Sequence, residues 1–316
     1  MVDEETIAKL KMFAMEAASA AQIVVTLVLM TLWGAIKALL PYSVLPKKSV
    51  HGKLVLITGA GGAFGRLLAV KFAKLGANLI LWDVVQEPME QTARQCKAFG
   101  VTVKTYVVDL NNKDNTYAVG HKTIEENGDV DILVNNAGII CGKYLTDLSD
   151  TEIERTMTVN AISHFWTLKL FLPAMLKRND GHIVSVASAA GMNGAVRMTD
   201  YCASKFAAVG LFEALNLELM KLQKDNVKLT IICPTFMDTG MFHGAQDLKS
   251  MPVMKPEFVA DRAMDAILTN TVLCCVPKMV YFLNFIKSFM PIDAGRYLAR
   301  QLKILDSMDR FRKKSE

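Results

Sequence analysis

Short apolar runs alternate with longer amphipathic segments through most of this chain. The runs occupy residues 53–58, 78–83, 102–108, 131–135, 182–187 and 228–233. They are hydrophobic at successive positions, which is typical of parallel strands covered on both faces. Helical spacing predicts helices between them, among them 63–75, 150–176 and 200–222. The alternation predicts an α/β fold with a doubly wound parallel sheet of the Rossmann type, about seven strands in all, the seventh through 271–276.

A longer apolar segment precedes these runs. Residues 17–36 contain no charged side chain, and as a helix they would span about 30 Å, the thickness of a hydrocarbon core. Acidic residues dominate before the segment and Lys47-Lys48 follow it, so the positive-inside rule places the downstream domain on the cytosolic side. A cleaved signal peptide fits poorly because the start is acidic. A core helix and a monotopic helix in one leaflet stay open as alternatives.

A second apolar region covers residues 272–292 and is interrupted by Lys278 and Lys287. Its helical spacing suits an interfacial helix, a lid over a substrate pocket or an ordinary core helix. We therefore predict three parts in the chain. They are an N-terminal membrane anchor and basic linker over 1–48, a dinucleotide-binding catalytic domain with its substrate lid over 49–276, and a C-terminal apolar helical extension with a basic tail over 277–316.

Composition narrows the function classes. Hydrophobic residues make up 52% and charged residues 21% of the chain, a balance typical of a folded protein. The net charge of +5 comes with basic clusters that lack interleaved aromatics, so we expect no nucleic-acid binding. The six cysteines form no CxxC pair and no His stands at zinc-ligand spacing, so no metal site is predicted. Reduced thiols indicate a catalytic domain in the cytosol.

A glycine-rich turn joins the first predicted strand to the first helix. It reads Thr58-Gly59-Ala60-Gly61-Gly62-Ala63-Phe64-Gly65. Glycines let the backbone approach a pyrophosphate, whose charge the helix N-terminus meets. Asp83 ends the second strand, where a carboxylate accepts the ribose hydroxyls of NAD and repels the extra phosphate of NADP. The loop itself carries no Lys or Arg, although Arg66 follows, so NAD is favoured over NADP. A solvent-facing Asp at a strand end is the structural alternative.

Tyr201 and Lys205 stand at i and i+4 of a predicted helix and therefore on one face. A free phenol has a pKa of about 10 and is a poor base at neutral pH. A lysine ammonium nearby, together with an oxidised nicotinamide, lowers that pKa. A Tyr-xxx-Lys pair alone is common and usually structural, but here Ser188 ends the fifth strand and Asn160 lies in the preceding helix.

These motifs together resemble the short-chain dehydrogenase/reductase family, across roughly residues 50–245. The glycine loop matches with Ala63 where many members have Gly, and the segment from Pro234 to Thr239 matches with Thr235 replacing Gly. The resemblance implies a catalytic tetrad of Asn160, Ser188, Tyr201 and Lys205. It implies cofactor contacts from Thr58, Gly59, Gly61, Ala63, Phe64, Gly65, Asp83, Asp109, Asn136, Ala137, Gly138, Lys205, Pro234 and Thr239.

The resemblance also implies individual roles. Ser188 and Tyr201 would hold the alcohol oxygen, Lys205 the nicotinamide ribose, and Asn160 a water of the proton relay. Thr239 would bind the nicotinamide amide, and Asp109 the adenine. Members of the family commonly dimerise through the helices that correspond to 150–176 and 200–222, so a homodimer is expected.

Short signatures such as Leu81-Trp82-Asp83 and residues 171–175 resemble the membrane-bound retinol and 17β-hydroxysteroid dehydrogenase branch. The C-terminal segment is most similar to epidermal retinol dehydrogenases. This resemblance implies oxidation of a lipophilic alcohol at the endoplasmic reticulum membrane or a lipid droplet. All-trans-retinol to retinal is the first expectation, and a 17β-hydroxysteroid is the second. A membrane scaffold that keeps the fold without the chemistry is the alternative of another class, against which the intact tetrad argues.

The segment after Thr239 is where this fold carries its substrate lid, and it is rich in flexible apolar residues. They are Met241, Phe242, Met251, Val253 and Met254. Such side chains suit a bulky lipid alcohol that arrives from a membrane. Ordinary packing is the alternative for each of them.

Overall fold

A computed structural model describes residues 4–40, 44–242, 244, 252–309 and 311. The chain divides into two compact units, Met1–Pro46 and Lys47–Glu316. The first contains helix α1 (Glu4–Leu39), whose stretch Glu4–Gly34 is long and apolar enough to cross a membrane by length and composition, with a mean hydropathy of 1.8. The described large apolar side chains of this stretch are exposed.

The second unit is built on a parallel sheet of seven strands. They are β1 (Leu54–Thr58), β2 (Asn78–Asp83), β3 (Val103–Val107), β4 (Ile132–Asn135), β5 (Gly181–Val186), β6 (Val227–Pro234) and β7 (Leu273–Val276). The order is β3-β2-β1-β4-β5-β6-β7, which confirms the predicted doubly wound sheet. The direction of winding reverses between β1 and β4, and such a switch point opens a crevice at the carboxyl ends of the strands.

Helices cover both faces of the sheet. The α-helices of the second unit are α2 (Ala63–Lys74), α3 (Gln86–Lys97), α4 (Lys113–Asn127), α5 (Asp150–Met157), α6 (Ser163–Arg178), α7 (Thr199–Lys221), α8 (Pro256–Leu268), α9 (Met279–Phe289) and α10 (Ile292–Gln301). Side chains of α2, α3 and α8 form one apolar core, and those of α4, α6 and α7 form the other. The strands other than the edge strand β3 are largely buried from both sides, which explains their continuous hydrophobicity.

The segment predicted to be helical over 150–176 is helical throughout, but it is not one regular α-helix. A π-helical turn, Thr158–Ile162, separates α5 from α6, and Asn160 lies inside it. The Asn160 amide reaches the loop after β4, where Oδ1 accepts from the Ile139 amide at 2.8 Å and Nδ2 donates to the Ile139 carbonyl at 2.9 Å. The wider turn thus coincides with a tertiary contact, as π turns at functional sites often do.

The region predicted to be apolar over 272–292 contains β7 and α9. Of the α9 side chains only Val280 is buried, so the alternative of an ordinary core helix is wrong here. Phe282, Phe285 and Phe289 are exposed. Farther along, Met308 and Phe311 are buried again within the second unit. The rest of the predicted basic tail, residues 310 and 312–316, lies outside the described residues.

Candidate active site

A cavity of about 570 Å³ opens at the carboxyl ends of the strands, a volume within the usual range for small-molecule sites. Of the predicted catalytic residues, Ser188, Tyr201 and Lys205 line it, and Asn160 does not. Every predicted cofactor residue except Thr58 lines it. These are Gly59, Gly61, Ala63, Phe64, Gly65, Asp83, Asp109, Asn136, Ala137, Gly138, Lys205, Pro234 and Thr239. One cavity therefore joins the glycine loop to Ser188, Tyr201 and Lys205, three of the predicted catalytic residues.

The glycine loop owes its shape to two positions without a side chain. Gly59 has φ +65°, a left-handed conformation that favours glycine. A Cβ at Gly65 would overlap the carbonyl oxygen of Gly59, so only glycine lets α2 start directly against the loop. Gly62 at the N-cap of α2 provides no side-chain cap, and Ala63 is the first helical residue. The helix N-terminus thus faces the cavity, an arrangement that fits a pyrophosphate.

Asp83 lies at the end of β2 and supports the same loop. Its Oδ2 accepts from the Gly61 amide at 2.8 Å, and its Oδ1 accepts from the Val85 amide at 2.9 Å. Each oxygen can accept a further hydrogen bond, as ribose hydroxyls would require. The Arg66 guanidinium donates to the carbonyls of Gly61 and Pro88, so its hydrogen bonds tie it to the back of the loop.

Thr58 lies behind the cavity. Its hydroxyl accepts from the amides of Asn136 and Ala137, each at 3.0 Å, and thereby joins the end of β1 to the end of β4. Beyond them, Gly138 leaves room beside the catalytic lysine: a Cβ there would lie 3.4 Å from Lys205 Nζ. This cradle fits a nicotinamide ribose close to the lysine ammonium.

The predicted catalytic side chains converge at the other end of the cavity. Lys205 Nζ lies 5.6 Å from the centre of the Tyr201 ring and donates to the Val186 carbonyl at 2.9 Å. Ser188 Oγ donates to the Pro234 carbonyl at 3.3 Å. Lysine and tyrosine therefore face one another and the same crevice, as the i, i+4 spacing predicts.

Burial dominates the electrostatics of this group. It raises the pKa of Tyr201 above its ordinary value, while a hydrogen bond from Ser188 acts in the opposite direction. Burial also lowers the pKa of Lys205 to about 8. The pKa of the nearby His164 is lowered to about 3, first by burial and then by the Lys205 charge, so this imidazole is neutral. The protein's own groups thus favour the neutral phenol, and a phenolate needs a further positive charge beside it.

The apolar end of the cavity includes residues that the sequence did not indicate. Phe242 lines it as predicted and packs edge-on against Tyr201, with ring centres 6.0 Å apart. Met241 also lines the cavity. Met254 instead packs against a core of the sheet, so the alternative of ordinary packing applies to it. Met251 lies outside the described residues. The unexpected contributor is Phe311, which reaches the cavity from the C-terminal tail.

The sequence matches the short chain dehydrogenase family over residues 53–249, more than half of the chain. The chain belongs to this family and is an oxidoreductase. It is 43% identical to epidermal retinol dehydrogenase 2 of Homo sapiens, over 87% of this chain and 89% of that protein. It is also 43% identical to estradiol 17-beta-dehydrogenase 11 of Pongo abelii, over 85% and 90% of the two chains.

Solved structures agree with the fold. A short chain dehydrogenase/reductase from Burkholderia phymatum in complex with NAD superimposes with a TM-score of 0.69 at 26% identity, over 85% of this chain and 99% of that one. A metagenomic short-chain oxidoreductase in complex with NADP gives 0.62 at 25% identity, over 72% and 97%. These neighbours support a nicotinamide cofactor. The choice between NAD and NADP has to be argued from the residues of this chain.

Proposed function

We propose that this chain oxidises a lipophilic alcohol with NAD, with all-trans-retinol as the first candidate substrate. The observation that carries the proposal is the convergence of Ser188, Tyr201 and Lys205 on the cavity that the glycine loop also lines. Retinol dehydrogenases recur among the relatives, and the end of the cavity beside Tyr201 is lined by Phe242, Met241 and Phe311. Apolar walls of this kind suit a lipid alcohol.

We propose catalytic roles that the family resemblance implies and the geometry supports. Ser188 and Tyr201 hold the alcohol oxygen, and the Tyr201 phenolate removes its proton. When bound, an oxidised nicotinamide would supply the hydride acceptor and a positive charge that favours the Tyr201 phenolate. Lys205 holds the nicotinamide ribose beside Gly138 and adds its own charge. Asn160 fixes the backbone of Ile139 next to that ribose position, in addition to the water-binding role that the family resemblance implies.

The proposal of NAD over NADP rests on Asp83. Its carboxylate lines the cavity between the glycine loop and Val85, where a 2′-phosphate would meet a like charge. Arg66, the nearest candidate to offset that charge, already donates to two backbone carbonyls. A kcat/KM that is higher with NADP than with NAD would contradict this choice.

A 17β-hydroxysteroid is the second candidate substrate. It is favoured by the estradiol dehydrogenase relative, whose identity to this chain equals that of the retinol dehydrogenase. Both alcohols are apolar, and both would meet the same catalytic group.

We further propose that α1 anchors the three-part chain in the endoplasmic reticulum membrane or at a lipid droplet, with the catalytic domain in the cytosol. The exposed apolar side chains of α1 and the exposed phenylalanines of α9 support attachment. Recovery of the full chain in the soluble fraction after cell lysis without detergent would contradict it.

We also propose that the chain forms a homodimer, which is supported by the exposed side chains of Phe165 on α6 and Leu217 on α7. A monomeric mass of the protein in detergent, measured by light scattering, would contradict the homodimer.

The experiment that tests the function is a two-by-two assay on the purified full chain in detergent. All-trans-retinol and estradiol are each offered with NAD and NADP, and reduced cofactor is measured. We expect retinal and NADH as the dominant products, and almost none from the Ser188→Ala variant. Oxidation of estradiol alone would select the second candidate. Absence of hydride transfer from both alcohols would reject the enzyme and favour the scaffold alternative.

A further inference from the structure

The C-terminal tail, here residues 307–309 and 311, is built into the apolar end of the active site. Met308 is fully buried and Phe311 is 8% exposed, and both pack in one cluster with Tyr201 and Phe242. Phe311 also lines the cavity. Its ring lies against Gly142, where an added Cβ would overlap it, and Gly142 has φ +70°. The tail therefore forms part of the cavity wall and belongs to the same apolar cluster as Tyr201.

Arg197 holds this tail in place from outside the cavity. Its Nη1 donates to the Met308 carbonyl at 2.9 Å, and its guanidinium lies 5.5 Å from the centre of the Tyr144 ring. The second tail carbonyl, that of Asp309, lies 3.5 Å from the same nitrogen. Arg197 is not among the residues that line the cavity. Its contact with the wall thus runs through the tail backbone.

We propose that Phe311, positioned by Arg197, selects alcohols by their bulk next to the reacting carbon. This inference rests on the proposed alcohol dehydrogenase function. A ring wall in contact with the Tyr201 cluster limits the width of the substrate where its oxygen meets Tyr201. In retinol the reacting carbon ends a slender chain, whereas in estradiol it belongs to a fused ring system. Phe311 therefore favours the slender alcohol and disfavours the fused ring.

The test compares kcat/KM for estradiol with kcat/KM for all-trans-retinol in full-length variants. Taking the ratio cancels any general loss of activity. Phe311→Ala should raise the estradiol-to-retinol ratio about tenfold, the scale of discrimination that one apolar contact provides. Arg197→Ala should raise it in the same direction because the tail loses its anchor. Arg197→Lys keeps a donor near the Met308 carbonyl and should restore the wild-type ratio.

A matched control separates the wall from general packing. Phe212 on α7 is buried to a similar extent, with 5% of its surface exposed. It packs in the core between α7 and the sheet and does not line the cavity. Phe212→Ala should lower the melting temperature and leave the ratio unchanged. An unchanged or lowered ratio in Phe311→Ala would overturn the proposal, and so would an equal shift in Phe212→Ala.

Thermal stabilisation by each alcohol in the presence of NADH provides the same comparison without turnover. If the wild type oxidises neither alcohol, the proposed function fails. In that case the proposal for Phe311 would still be supported if estradiol raised the melting temperature of Phe311→Ala more, relative to retinol, than it raises that of the wild type. Equal thermal shifts in the variant and the wild type would refute it.

Discussion

Replacing Tyr201 with Phe removes a single hydroxyl from the centre of the proposed site. Tyr201 is only 4% exposed, so water has little access to the position that the hydroxyl leaves. The Phe ring keeps the edge-on contact with Phe242. Loss of one hydrogen bond costs about 1 kcal/mol of unfolding free energy, which lowers the melting temperature by about 2–4 °C in a domain of this size. Turnover should fall about a hundredfold to ten-thousandfold, the usual contribution of a general acid/base.

The assay measures retinol oxidation, NAD affinity and thermal unfolding on the same preparation. The variant should bind NAD as the wild type does, because the glycine loop and Asp83 are untouched. Tyr117→Phe is the control, since Tyr117 is partly buried against a core of the sheet and does not line the cavity. It should keep full activity. Turnover of the Tyr201 variant within about tenfold of the wild type would refute the acid/base role.

Three further perturbations test the cofactor site and the buried charges. Asp83→Asn should raise kcat/KM for NADP relative to NAD at least about tenfold by removing a like charge, and an unchanged ratio would contradict the ribose assignment. Gly65→Ala should cost about 1–3 kcal/mol in urea unfolding through overlap with Gly59, whereas Gly210→Ala, with open space around it, should not. The pKa of His164 is lowered to about 3 by burial, so the unfolded chain takes up a proton below pH 6.5 that the folded protein does not. Unfolding free energy should therefore decrease as pH falls from 6.5 towards 3, and His164→Asn should make this decrease shallower. An equal slope would be evidence against a neutral His164.

The strands other than β3 were predictable because burial on both faces leaves a continuous apolar run, a signal that depends on local sequence. The glycine loop was predictable for a related reason: positions such as Gly59 and Gly65 need the absence of a side chain whatever ligand binds. The π turn at Asn160 was not predictable from the local sequence, because no pattern within the helix marks it and the contact with which it coincides is made to Ile139, 21 residues earlier in the chain. Phe311 carries no periodic pattern either, because it is a lone aromatic in a basic tail.

Burial of Tyr201 has two opposing effects on its proposed role as an acid/base. Burial excludes water from the reacting oxygen, and the same burial raises the pKa of the phenol and lowers the pKa of Lys205 to about 8. Both shifts favour neutral groups. The fold partly offsets the shift on Tyr201, because hydrogen bonding with Ser188 lowers the pKa of the phenol. Since this hydrogen bond does not reverse the shift on Tyr201, the proposed phenolate would need a positive charge beside the ring. An oxidised nicotinamide would supply that charge in the cavity that Tyr201 and Lys205 line.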